Sequence, residues 1–171
     1  MSDRFRSTLL ILRHAHSSWA RPGERDHQRP LDERGSADAA RLATIIKTDG
    51  VAIDTVVCST ATRARETLEA LMPALADRVE IQHSDDLYAL GTEAYYAAAG
   101  AVGEEAHALL IVGHNPTIED FTRSLIRSGE SDALNALAEG FATCALAIVG
   151  FEGPLGEAAP QSGHLIRVIR P

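Results

Sequence analysis

A chain of 171 residues, 45% hydrophobic and 23% charged, is long enough to bury a sizeable core and is composed like an ordinary globular protein. Its net charge of -8 provides no global positive field for nucleic acid or an anionic membrane. The apolar stretch near the N-terminus, residues 9–12, is too short for a signal peptide or a membrane span, so one cytoplasmic domain over residues 1–171 is expected, without nucleic-acid or membrane partners.

Strand-like runs alternate with helix-like ones along the chain. Residues 7–12 form a short apolar run that ends in Arg13-His14, as expected of a buried strand feeding a loop. Residues 17–31, with Pro22, Gly23 and Pro30 among many charges, read as a loop. Asp32 is the expected N-cap of a helix to about residue 48, with Ala39, Leu42, Ala43 and Ile46 on one face and Asp49-Gly50 ending it. A second strand over 55–58 runs into Ser59-Thr60 and a helix over about 62–75. A third, 79–83, leads through Asp85-Asp86 to Leu87-Tyr88, and a small-residue helix follows over 92–102. Residues 108–112, the most apolar run, end at Gly113-His114-Asn115-Pro116. The next helix spans about 117–127, stopped by Ser128-Gly129. Residues 143–151 and 165–169 form a final strand pair joined by a Gly- and Pro-rich loop. Cys58 and Cys144 have no metal or redox spacing and read as buried core thiols.

Strands separated by helices of this length predict an α/β class, a three-layer α/β/α sandwich with a largely parallel sheet. Such sheets place ligands at the carboxyl ends of their strands. Three polar clusters sit at three such ends: Arg13-His14, residues 59–65, and His114-Asn115. Each alone has a plain structural reading: a strand-end histidine bonded to backbone, a solvated first helical turn with Arg65 and Glu66 exposed, a capping turn at His114. Together, two histidines and two arginines at one sheet edge make a metal-free phosphoryl-transfer pocket. Arg13 and Arg63 clamp two phosphoryl oxygens, protonated His114 donates to a third, and neutral His14 attacks phosphorus in line. No cofactor or metal is expected. His14 and His16 could share a strand face as two metal ligands, but no partner carboxylate lies at ligand spacing. His27, His83, His107 and His164 lack motif context and read as surface residues. A nicotinamide-binding fold is disfavoured, because the first strand leads to Arg-His-Ala and not to a glycine-rich turn.

These motifs resemble the histidine phosphatase (phosphoglycerate mutase-like) superfamily. Arg13-His14-Ala15, Ser59-x-x-x-Arg63-Ala64-x-x-Thr67 and Gly113-His114-Asn115-Pro116 carry the resemblance, in order, across residues 9–121. The run from Leu12 to Trp19, followed by Arg29-Pro30-Leu31-Asp32-Glu33-Arg34-Gly35, is similar to the short SixA-type phosphohistidine phosphatase branch. The resemblance implies a phosphoglycerate mutase-like fold, with His14 as nucleophile, Arg13 and Arg63 on phosphate, and His114 completing the pocket. It implies hydrolysis of phosphohistidine, with a phosphorylated protein histidine as the leading substrate, or of activated phosphomonoesters, through a phosphohistidine on His14. The alternatives are a small-molecule sugar-phosphate phosphatase or mutase and a non-catalytic module that binds phosphorylated partners. One departure stands out. Mutase-like members carry a proton-donating glutamate after the third strand, where this chain has Ala89. Asp85, Asp86 and Glu93 nearby read as turn or helix-start residues, and members with His-Asp have their acid where this chain has His114-Asn115.

Overall fold

In the computed structural model, which describes residues 4–19, 22–103 and 105–171, the apolar runs assemble into one seven-stranded sheet. Its strands are β1 (Ser7–Arg13), β2 (Thr55–Ser59), β3 (Glu80–Ser84), β4 (Ala108–Gly113), β5 (Ile126–Gly129), β6 (Leu146–Phe151) and β7 (Gly163–Ile169). They lie in the order β3-β2-β4-β1-β6-β7-β5. Neighbours from β3 through β1 are parallel, as are β7 and β5, whereas β6 runs antiparallel to both β1 and β7. The sheet is therefore largely parallel, as expected.

Alternation along the central strands builds a core on each face. Leu9 and Ile11 of β1 join Leu109 and Ile111 of β4 and Ala147 and Val149 of β6 on one face. Helices α4 (Thr92–Gly100), α5 (Thr117–Leu125) and α6 (Ser131–Ala138) cover it through Tyr95, Phe121 and Leu137. Leu10 and Leu12 pack with Leu110, Val112, Leu146 and Ile148 on the other, under α1 (Glu33–Thr48) and α2 (Thr62–Leu71). Burial of each such leucine or isoleucine is worth roughly 1.5–3 kcal/mol, so the sheet centre anchors the fold. Cys58 and Cys144 are both fully buried in the second core, as expected, and burial pushes each thiol up to about 12.

The differences from the sequence expectation have local causes. The helix over 62–75 ends at Leu71 and tightens into a 3-10 turn, Met72–Ala74, because Pro73 lacks an N–H and cannot continue the α ladder. The helix expected to reach residue 127 stops at Leu125, where Ile126 turns extended and starts edge strand β5 against β7. Helix α6 was not legible as an element. The strand expected from residue 143 begins at Leu146, since Cys144 sits at φ 60, outside strand geometry. The loop over 17–31 contains a 3-10 turn, Asp26–Gln28, and a bridge between Ser17 and Leu31.

Parallel pairing brings three strand ends together. Arg13 stands opposite Gly113, and Cys58 opposite Val112, so the chain leaves β1, β2 and β4 at one edge of the sheet. The first turn of α1 approaches this edge closely. Asp32 caps it by accepting from Gly35 N at 2.8 Å, and a Cβ at Gly35 would strike the His16 backbone.

Candidate active site

His14 follows β1 directly and is buried. Its Nδ1 lies 2.7 Å from the Ala15 carbonyl, which can only accept, so Nδ1 carries the proton and Nε2 keeps its lone pair. Arg63 Nε donates to that Nε2 at 3.2 Å. One hydroxyl aligns both partners: Thr67 Oγ1 accepts from Ala15 N at 3.0 Å and donates to Arg63 O at 2.6 Å. The Arg63-x-x-x-Thr67 spacing is one helical turn of α2, which accounts for that part of the motif. Ser59 begins the same motif. Its Oγ accepts from Ala61 N at 3.3 Å and shares a 2.8 Å hydrogen bond with His114 Nε2.

The electrostatics match this wiring. Desolvation, reinforced by Arg63, Arg13 and Arg29, pulls His14 down to about 3 against the opposing pull of the Ala15 carbonyl. Desolvation, with His14 and Arg63, takes His114 to about 3 as well. The two rings lie 5.0 Å apart. Burial beside an arginine thus favours neutral His114 in the ligand-free site.

Arg13 is held from behind. Its Nη1 donates to Phe141 O at 2.7 Å, and Asn115 Nδ2 donates to Glu119 at 3.0 Å and to the same carbonyl at 3.3 Å. Three buried side-chain polar atoms lack a partner among the described residues: Arg13 Nε, His114 Nδ1 and Asn115 Oδ1. All three residues line one cavity of about 450 Å³, together with His14, Arg63, Asp26 and Trp19. Native interiors satisfy nearly all such groups, so open hydrogen-bonding capacity concentrated here points to a polar ligand.

The wall opposite β1 comes from the loop over 22–31. Arg63 donates from Nη1 to Asp26 O at 2.8 Å and from Nη2 to Asp26 Oδ2 at 3.1 Å. Tyr88 Oη donates to Oδ2 at 2.9 Å and Arg29 Nε to Oδ1 at 2.8 Å. These donors overcome desolvation and take the Asp26 carboxyl down to about 2. Arg29 also ties the loop to Ser17 Oγ at 2.9 Å and Ser18 O at 2.6 Å. Tyr88 comes from the short helix α3 (Asp86–Ala89) and stands edge-on to both His27 and His114.

The sequence model described as histidine phosphatase superfamily (branch 1) matches residues 9–92. An uncharacterised Mycobacterium tuberculosis protein, Rv1276c, is 31% identical over 160 residues, 91% of this chain and 96% of the relative. Among solved structures, a candidate SixA phosphohistidine phosphatase from Nakamurella multipartitia is 32% identical with a TM-score of 0.84, covering 96% of both chains. The chain belongs to the histidine phosphatase superfamily. Its SixA-type character is supported by a second candidate SixA phosphohistidine phosphatase, from Agrobacterium tumefaciens, 33% identical with a TM-score of 0.81 over 98% of this chain and 99% of that one. SixA complexed with tungstate shares the fold at 22% identity, with a TM-score of 0.73 over 96% of this chain and 97% of that one.

Against this superfamily background, the fold brings all four expected residues, Arg13, His14, Arg63 and His114, to one cavity. His14 and His16 do not share a strand face. The strand ends at Arg13, and His16 Nδ1 is engaged by Asp32 at 2.5 Å. Glu93 accepts from Gly91 N at 3.1 Å at the start of α4, as expected, whereas the Asp85 carboxylate leaves its own helix uncapped and accepts from Thr60 Oγ1 instead. Two other expectations change. Glu66 is not merely solvated: it accepts from Leu31 N at 2.6 Å and pins the loop to α2. His27 is no bare surface residue, since its Nε2 meets Thr60 Oγ1 at 2.9 Å beside the cavity. His83 and His107 are exposed, whereas His164 is half-buried and stacks on Phe5. The residues missed outright are Asp26 and Tyr88. The one available signal was the position of Asp26 just before Arg29-Pro30-Leu31.

Proposed function

We propose that this phosphatase hydrolyses phosphohistidine, or activated phosphomonoesters, through a covalent phosphohistidine on His14. The observation that carries the reading is the 2.7 Å contact of His14 Nδ1 with the Ala15 carbonyl, which assigns the proton to Nδ1 and leaves the Nε2 lone pair facing Arg63. Nε2 attacks phosphorus in line, and the bond to the leaving group breaks with its electron pair. The phosphorylated ring becomes cationic, and the Ala15 carbonyl stabilises its N–H. Water then attacks the phosphorus, phosphate departs, and neutral His14 returns. As the phosphoryl group enters, Arg63 Nε–H turns from the lone pair to an equatorial oxygen, and Arg13 takes a second. The incoming dianion favours protonated His114, which then donates to a third.

The substrate class follows from the proton inventory. Asp26, held at about 2, cannot protonate an alkoxide near neutral pH, and α3 offers Ala89 where the mutase-like acid would stand. A phosphoramidate needs no such donor at the breaking bond, because a phosphoimidazole whose distal nitrogen carries a proton from solvent releases neutral imidazole, a good leaving group. A protein-borne phosphohistidine is further supported by Trp19, 90% exposed at the cavity rim, an aromatic of the kind that anchors protein partners. The names of the two solved relatives point to the same class. The test is rapid-quench trapping with a phosphohistidine peptide. Acid-labile, base-stable phosphate should form on the wild type and not on His14→Ala, which should have no measurable turnover. Undiminished turnover by His14→Ala overturns the reading.

A further inference from the structure

The phosphatase reading leaves one feature unused, a fixed carboxylate inside an anion-binding pocket. An anion there opposes a phosphoryl dianion unless it serves another part of the substrate. Asp26 is not needed merely to hold Arg63, since its backbone carbonyl already accepts from Nη1 at 2.8 Å, closer than the 3.1 Å bond to the carboxylate. The side chain is 53% exposed and lines the cavity. A carboxylate has about four acceptor sites, and the bonds to Arg63, Tyr88 and Arg29 fill three. The remaining one is available to a donor on the substrate. The carboxylate lies one side chain away from the attacking atom, joined to His14 Nε2 through Arg63.

We infer that Asp26 is a specificity-determining residue whose carboxylate accepts the distal N–H of a phosphoimidazole leaving group that reacts in its ring-protonated, cationic form. The inference rests on the phosphatase reading and assigns the part of the site that selects the leaving group. The two rings flanking phosphorus are then treated alike: the Ala15 carbonyl holds the N–H of His14, and Asp26 holds that of the substrate. As His14 Nε2 bonds to phosphorus, the P–N bond to the substrate breaks and its electron pair returns to the leaving nitrogen. The distal nitrogen keeps its proton, so imidazole departs neutral and the positive charge passes to the His14 ring. An alkoxide or phenoxide has no N–H to offer and meets only the repulsion of the carboxylate.

The test compares kcat/KM for N-phosphoimidazole and p-nitrophenyl phosphate, using the intact wild type and Asp26→Asn. Losing a charge-assisted hydrogen bond made to the leaving group should lower the phosphoimidazole-to-aryl ratio about ten- to a hundredfold. Asp26→Glu, which keeps the charge, should hold the ratio closer to wild type. An unchanged ratio in Asp26→Asn, whether both activities fall together or neither does, overturns the inference and leaves Asp26 as a support for Arg63. No wild-type turnover of either compound overturns the phosphatase reading itself.

Discussion

Acidification from pH 7 to pH 5 should destabilise the ligand-free protein through His14 and His114. Burial, with Arg63 nearby, keeps both imidazoles at about 3, whereas histidine in an unfolded chain titrates near ~6.5. Above that value both states are neutral, and these residues add no pH dependence. Below it the unfolded chain binds protons that the folded chain excludes, so stability falls as the pH drops from about 6.5 toward 3. The loss from one such histidine reaches about 2 kcal/mol at pH 5, or roughly 4–8 °C in Tm for a chain of this length. The unfolded chain protonates both histidines independently, whereas in the folded chain the two rings also oppose each other's protonation, so the pair loses up to about twice that amount. Carboxylates act in a different window. Asp26 and Glu119 lie below their usual values, so their stabilisation is complete above about pH 5 and fades only at lower pH. Urea unfolding at pH 5, 6 and 7 in a non-phosphate buffer measures the effect. His14→Gln should remove one histidine's share of the slope. Equal wild-type stability at pH 7 and 5, or an undiminished slope in His14→Gln, would refute the reasoning.

Thr67→Val keeps the shape of a fully buried side chain but strands Ala15 N–H, so unfolding should be easier by about 1–3 kcal/mol; kcat should fall as His14 loses its alignment, and an unchanged melt with unchanged kcat would count against the role given to that hydroxyl. Exhaustive chelation should leave hydrolysis intact, because the two arginines supply the positive charge at phosphorus; activity lost and then restored by zinc or magnesium would contradict this. A phosphohistidine peptide should exceed a phosphoserine peptide of the same sequence in kcat/KM by roughly 10²–10⁴-fold, the usual worth of a general acid. Equal values would mean that a competent acid exists, with Asp85, Asp86 and Glu93 the first positions to mutate.

Legibility of the site divides according to what places each residue. His14, Arg63 and His114 could be assigned because the backbone delivers them. Each follows a buried strand, and parallel pairing puts those strand ends side by side whatever the intervening loops do. Asp26 lies in a segment with no hydrophobic period, and only side-chain contacts decide where it goes: Arg63, Tyr88 and Arg29 on its carboxylate, and Glu66 on Leu31 N behind it. Helix periodicity marked Glu66 as solvent-facing and could say nothing about a loop amide arriving from 35 residues away. The same division explains β5, a four-residue strand whose pairing with β7 depends on the far end of the chain, and α6, which spans only eight residues. The catalytic proposal therefore rests mainly on residues that the backbone places, whereas substrate choice rests on those that only side chains place. Asp26→Asn tests the second group without removing any of the first.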